Sequence, residues 1–253
     1  LDLFEPAVRG ITPDGSVVAA MGALTSVLLC PPGSPGQGDP NCRGSLSDLY
    51  VENGRPRQLR TGRLEAMSTD GLRLLDGSRL IDSRGELIRE YDFMAALKIN
   101  EDRGAVHKKI TVDSLTRKKY TFHFALKALN RDGSVAAGTL TARRNLMTAT
   151  DEHFFVRWRA DGGLDIVDHG DDRYFVKSMS EDGEIVLLSH GYYYYVWTPD
   201  GGLKRITEHL RNRGLKFDYE AVGSSAFTAM SRDGRCFAGN NRESDRSFLI
   251  CAD

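Results

Sequence analysis

"ALNRDGSVAAG" (Ala128–Gly138) carries the pattern that decides the fold. It reads small residue, apolar residue, Ser/Thr/Asn, any residue, Asp-Gly, then alternating apolar positions. The pattern recurs in "GITPDGSVVAA" from Gly10, "AMSTDGLRLLD" from Ala66, "SMSEDGEIVLL" from Ser178 and "AMSRDGRCFAG" from Ala229. A sixth stretch, "KINEDRGAVHK" from Lys98, keeps Asp102 but has Gly104 one place late. Asp-Gly supplies the positive φ of a tight two-residue turn. A Ser or Thr two residues before the Asp can bond the turn backbone. Apolar residues on either side then form two short antiparallel strands.

Most copies are followed by a second strand pair. Examples are "SDLYVENGRPRQLR" (Ser47–Arg60), "SRLIDSRGELIREY" (Ser78–Tyr91), "KITVDSLTRKKYTFH" (Lys109–His123), "HFFVRWRADGGLDIVDH" (His153–His169) and "YYYYVWTPDGGLKRIT" (Tyr192–Thr207). Each unit therefore holds about four strands, as a propeller blade does. The expected fold is all-β: one domain over 1–253, a six-bladed β-propeller, with five or seven blades as alternatives. The units are 8–60, 64–92, 95–123, 125–169, 174–207 and 226–253. The last has three strands, and "LDLF" (Leu1–Phe4) is expected to complete it and close the ring.

A strand covered on both faces by neighbouring blades can be apolar throughout. "YYYYVW" fits, with Tyr193, Tyr195 and Trp197 facing one neighbour and Tyr192, Tyr194 and Val196 the other. In the alternative reading Tyr192 or Tyr193 reaches a rim as a stacking platform for sugar or peptide. "TEHLRNRGLKF" reads as a surface helix with Thr207 as N-cap and Gly214 just past its end.

The unit resembles the HAF-type extracellular repeat, best in "AMSRDGRCFAGNNRESDRSFLI" and "YYYYVWTPDGGLKRIT". A second resemblance is to TolB-like propellers, whose unit contains Ser-Pro-Asp-Gly, through "ITPDGSVVAA" and "SDLYVENGRPRQLR". The first resemblance implies a secreted or envelope-associated protein. The second implies a periplasmic interaction platform. Neither supplies a catalytic residue.

The 253 residues are 40% hydrophobic and 27% charged, with a net charge of −1. That balance offers no electrostatic footprint for nucleic acid or an anionic membrane. No apolar run reaches the roughly 18–20 residues that span a bilayer. The four cysteines form two close pairs, and disulfides Cys30–Cys42 and Cys236–Cys251 are expected. Such bonds favour an oxidising compartment, periplasmic or secreted. The opposing reading is four buried thiols.

No cofactor or metal is expected. "DHGDDR" offers Asp168, Asp171 and Asp172 to calcium, but lacks regular acid spacing and reads better as a solvated loop. The Asp-Gly turns read as separate and structural. "RKKY" (Arg117–Tyr120) reads as a solvated hairpin tip. The six histidines, 107, 123, 153, 169, 190 and 209, cannot be grouped, and no Gly-x-Ser-x-Gly elbow is present.

The loop bracketed by Cys30 and Cys42 departs most from the repeat. Loops on a rigid scaffold commonly carry recognition. Pro31, Pro32, Gln37, Asp39 and Asn41, with Tyr192 and Tyr193, are the binding candidates. The expected function is a non-enzymatic interaction module of the bacterial envelope or secretome, taking a protein or glycan partner. The alternative is a hydrolase or lyase with its site at the channel mouth.

Overall fold

The computed structural model describes residues 7–12, 14–21, 48–53, 55–59, 64–108, 110–116, 120–144, 151–168, 173–215, 225–241 and 246–251. The fold is all-β and of the propeller class, built from antiparallel meanders whose strands pair in chain order. The first sheet holds β1 (Ala7–Ile11), β2 (Val17–Met21), β3 (Asp48–Glu52) and β4 (Arg55–Leu59). The second holds β5 (Leu64–Met67), β6 (Arg73–Asp76), β7 (Arg79–Asp82) and β8 (Leu87–Glu90). The third holds β9 (Tyr120–Leu129), β10 (Ala136–Arg144), β11 (Asp151–Trp158) and β12 (Leu164–Asp168). The fourth holds β13 (Phe175–Met179), β14 (Val186–His190), β15 (Tyr193–Thr198) and β16 (Gly202–Arg205). The fifth has three described strands, β17 (Ser225–Met230), β18 (Cys236–Asn241) and β19 (Arg246–Cys251).

The chain divides into two compact units, 1–90 and 91–253. The first contains sheets one and two; the second contains sheets three to five. The described residues thus form five sheets, and the ring-closing strand expected at 1–4 lies outside them.

The unit expected at 95–123 is corrected. Helix α1 (Phe93–Asp102) and helix α2 (Val112–Thr116) lie there in place of the expected strands, ahead of the start of β9 at Tyr120. Asp92 caps α1, its Oδ1 accepting from the N–H groups of Met94 (2.9 Å) and Ala95 (3.1 Å). "FMAALK" then consists largely of good helix formers. Phe93, Ala96, Leu97 and Asn100 fall on one buried face, and Phe93 packs on Phe122, Phe124 and Trp158. Gly104 is displaced from Asp102 because it ends the helix. Its φ is +75°, its N–H bonds the Glu101 carbonyl at 2.9 Å, and the Ala105 N–H bonds that of Asn100 at 2.9 Å. That is a Schellman cap, not a hairpin. Asn100 also serves the third sheet's edge, its amide accepting from Leu164 N–H at 3.0 Å and donating to the Leu164 carbonyl.

The four tyrosines divide between the two readings. Tyr195 and Trp197 join a core with Ala128, Ala137 and Phe155 of the third sheet. Tyr194 and Val196 pack with Phe227 and Phe237 of the fifth. Alternate side chains of β15 therefore bury against different neighbours. Tyr192 lies outside the strand, in a two-residue turn with Gly191 at φ +55° between paired His190 and Tyr193. A positive φ at the first turn position is the II′ arrangement.

Helix α3 (Ile206–Asn212) begins two residues earlier than a Thr207 cap would place it, with Arg205 in the cap position. Arg205, the last residue of β16, precedes it without a side-chain cap, and Ile206 is already buried in the core beneath Tyr194. Its other end is as expected. Gly214 has φ +78°, and the Leu215 N–H reaches back to the Leu210 carbonyl.

Cys236 and Cys251 are direct partners across β18 and β19 and form a disulfide. Their separation of 15 residues corresponds to about 3 kcal/mol in the loop-entropy model. Cys30 and Cys42 lie outside the described residues.

Candidate functional site

The Asp-Gly turns are wider than a two-residue hairpin, and their chemistry explains every residue of the motif. In the first, the Thr12 N–H bonds the Val17 carbonyl at 2.9 Å, so four residues lie between the paired positions. The Thr12 carbonyl is turned to Gly15 N–H at 2.8 Å and no longer faces the returning strand. The Val17 N–H would be orphaned, and the Thr12 hydroxyl accepts it at 2.9 Å. That hydroxyl donates to Asp14 Oδ1 (2.7 Å), which also takes the Ser16 N–H (3.0 Å). Ser68, Ser180 and Ser231 repeat these bonds with Asp70, Asp182 and Asp233. Asn130 does so through its amide, Oδ1 accepting from Val135 N–H at 2.9 Å. Only the glycines have positive φ; none of these aspartates does. The type I′ turn needs two such residues, which is why the two-residue reading fails.

The repeat extends further back. Pairing skips one residue three places before each turn, at Arg9, Glu65, Lys127, Lys177 and Thr228. These are β-bulges, which re-aim a side chain on the first strand of each sheet.

Nor are the turns separate. In the second unit the Arg131 N–H bonds the Glu181 carbonyl (3.1 Å), and the Glu181 N–H bonds that of Arg232 (2.7 Å). Three turns therefore lie side by side, with the Glu181 carboxylate between Arg131 (3.4 Å) and Arg232 (3.9 Å). The turn Gly carbonyls at 71, 133 and 183 each take a donor from an earlier element. Tyr50 donates to Gly71 (2.9 Å), Tyr91 to Gly133 (3.0 Å) and Arg157 to Gly183 (2.9 Å). Within each unit these bonds of the array tie one turn to the element before it.

The array makes stability depend on pH. Hydrogen bonds from Thr12 and Ser16 hold the Asp14 carboxyl at about 2 against an ordinary 3.8. Asp132, bonded by Ser134, and Asp233, bonded by Ser231 and Arg235, are also lowered. Lowered carboxyls contribute stability that is present above about pH 4 and is lost as pH falls through the folded values. His209 adds a separate component. Burial, aided by Arg213 and Lys204, lowers it from 6.5 to about 4, and its Nε2 is buried without a partner among the described residues. Between pH 6.5 and 4 the unfolded chain binds the proton more readily, so stability falls as pH drops through that window. Thermal melts should therefore decline in two stages. His209→Gln is expected to flatten the stage from pH 6.5 to 4, and Asp14→Asn part of the stage from pH 4 to 2.

The opposite end of the fourth sheet is different in character. Tyr192 is 75% exposed and Tyr193 49%. The Arg205 guanidinium sits 4.4 Å from the centre of the Tyr193 ring, and that of Arg173 sits 5.0 Å from Phe175. Tyr174 beneath is buried against Tyr195 and His190. A rigid sheet end thus presents rings and cations outward.

Register reveals a cluster that spacing could not. Thr141 pairs with His123 on one side and His153 on the other, and its hydroxyl lies 3.1 Å from His153 Nδ1. A hydroxyl beside an imidazole is the pairing of nucleophile and base. The nearby acid, Asp151, is engaged by two bonds from Arg143 (2.7 and 2.9 Å), which hold its carboxyl below the usual range. His107 packs on Phe154, and His190 lies 3.2 Å from the Arg173 carbonyl. Among the described residues no three His, Cys, Asp or Glu side chains form a metal site.

Of the binding candidates, Tyr192 and Tyr193 are brought together at the rim. Pro31, Pro32, Gln37, Asp39 and Asn41 lie outside the described residues, as do His169, Asp171 and Asp172. Arg117–Lys119 do so too, and Tyr120 begins β9.

No protein-family model and no curated protein matches the chain. Solved structures similar to it include a protein from Agrobacterium tumefaciens described as putative TolB. It has 13% identity and a TM-score of 0.46 over 96% of this chain and 79% of that one. Another is the β-propeller domain of the Trilobed protease from Pyrococcus furiosus. It has 12% identity and a TM-score of 0.49 over 98% of this chain and 67% of that one. The fold class rests on the strand order and register described above.

Proposed function

We propose that this chain is a non-enzymatic interaction module of the bacterial envelope or secretome that binds a protein or glycan partner. The observation that carries the reading is the rim of the fourth sheet. Tyr194 and Tyr195 pack inward, whereas Tyr192 in the two-residue turn and Tyr193 at the head of β15 stay exposed. Large amphipathic rings on a rigid support suit recognition at small entropic cost. The loop containing Pro31, Pro32, Gln37, Asp39 and Asn41 is a second proposed contact. The Cys236–Cys251 disulfide supports an extracytoplasmic location, because such bonds persist in oxidising compartments. The HAF-type repeat resemblance points the same way. No described helix is long and apolar enough to cross a membrane.

The test is a pull-down from envelope and culture-supernatant extracts with three baits: the intact chain, a chain lacking 31–41, and Tyr192→Ala/Tyr193→Ala. A partner retained by the intact chain and lost with either variant supports the reading. Equal retention by all three, or none by any, contradicts it.

A hydrolase or lyase reading has one observation in its favour, the Thr141–His153 pair. Activity against ester or glycoside substrates that disappears in Thr141→Ala would establish it.

A further inference from the structure

We infer that the rim of the fourth sheet docks an acidic segment of a protein partner, with carboxylates received by Arg173 and Arg205. The inference rests on the recognition reading and names its partner class. Each guanidinium is stacked on an exposed ring, Arg205 on Tyr193 and Arg173 on Phe175. Neither has a carboxylate partner among the described residues, whereas Arg131, Arg143, Arg157 and Arg159 of the same unit all do. Among the described residues Arg55, Arg84, Arg89 and Arg213 also lack one, but none of these lies over a ring. A guanidinium lying over a ring face makes that contact with its own face and leaves its edge N–H groups free for another partner. A carboxylate takes two such groups in parallel. The fork is thus not consumed by the ring contact.

Register sets the spacing. Phe175 pairs with Ser189, and Tyr193 pairs with His190, so the two rings lie on strands either side of β14. Two strand steps separate them by about 10 Å. Consecutive positions on β14 point to opposite faces, so a docked segment crosses the end of the sheet, over Gly191 and Tyr192. The two rings lie on opposite faces, so the path over the sheet end is longer than the in-plane spacing, roughly 14 Å, and with extended peptide advancing about 3.4 Å per residue, acids four to five residues apart reach both arginines. Lys177, exposed at the bulge of β13, adds a third cation on the same strand as Phe175. A neutral sugar would need the ring faces, and each ring has one face covered by its own arginine. Arginine and tyrosine together are also the composition of protein-binding hot spots.

The probes are a fluorescein-labelled glutamate octapeptide and a labelled oligogalacturonate of equal charge, measured by anisotropy against the full chain at low and physiological salt. The peptide is expected to bind. Arg173→Ala and Arg205→Ala should each weaken it roughly tenfold, and Arg205→Lys nearly as much, because an ammonium cannot form the fork. Both arginines are exposed, and unchanged melting temperatures confirm intact variants. Peptide binding indifferent to both substitutions overturns the inference. Binding of the oligogalacturonate in place of the peptide overturns it too and leaves recognition of a glycan standing. Failure of both probes also overturns it, while the pull-down decides the recognition reading separately.

Discussion

Gly183→Ala is expected to destabilise the second unit by roughly 2–4 kcal/mol, whereas Gly15→Ala, at the same place in the first turn, should cost only about 1 kcal/mol. Both glycines have left-handed backbone, φ +79° and +71°, so both substitutions carry the steric penalty of an L-residue there. They differ in what the new methyl meets. At Gly15 nothing lies within 4 Å. At Gly183 the methyl falls 2.8 Å from Val135 Cβ, the branch point of a stiff side chain in the preceding turn. Gly71 against Val17 and Gly234 against Ile185 have the same relation. Thermal or urea melts of the two variants separate conformational strain from turn-to-turn packing. Equal losses would mean that the turns do not press on one another.

Arg157→Ala is expected to cost about 3 kcal/mol, near the low end for breaking a buried ion pair. That amounts to a drop of roughly 6–12 °C in Tm for a unit of this size. Arg157 is 5% exposed and ties the third sheet to the fourth. It meets Asp165 at 2.9 Å in its own sheet, Glu184 at 3.1 Å, and the Gly183 carbonyl at 2.9 Å. Its guanidinium also lies 4.8 Å from the centre of the Trp197 ring. The low end is expected because Asp165 and Glu184 are partly exposed and regain water, while the Gly183 carbonyl does not. Arg157→Met, which retains packing over Trp197, should lose less. A loss below about 1 kcal/mol for Arg157→Ala, the level of a surface pair, would contradict the assigned role.

The sheets were legible because Asp-Gly turns with Ser or Thr two residues earlier mark strand ends locally. The alternating burial of Tyr194 to Trp197 was legible for a similar reason, since period-two alternation needs no knowledge of the partner sheet. Asp102 misled because Asp and Gly also finish helices. Only Asp92 as a cap and the helix-forming run "FMAALK" distinguished a Schellman end from a hairpin. Turn width was hidden because the same dipeptide serves loops of two and four residues. The bulges at Lys127 and Lys177 leave no local mark.

The site was legible only in part. Tyr192 and Tyr193 stood out as a run, and the shift from strand to tip follows from Gly191. Arg173 and Arg205 were invisible because their stacking on Phe175 and Tyr193 depends on which strands pair and in what register. Thr141 beside His153 is hidden in the same way, since cross-strand neighbours share no sequence spacing.

Amide hydrogen exchange of the chain, alone and with the partner retained in the pull-down, tests the recognition reading most directly. Slower exchange on binding is expected at 190–193 and at 173–175, with the Arg131 and Glu181 amides of the turn array protected in both states. Slowing confined to the turn array, with 190–193 and 173–175 unchanged, would contradict it.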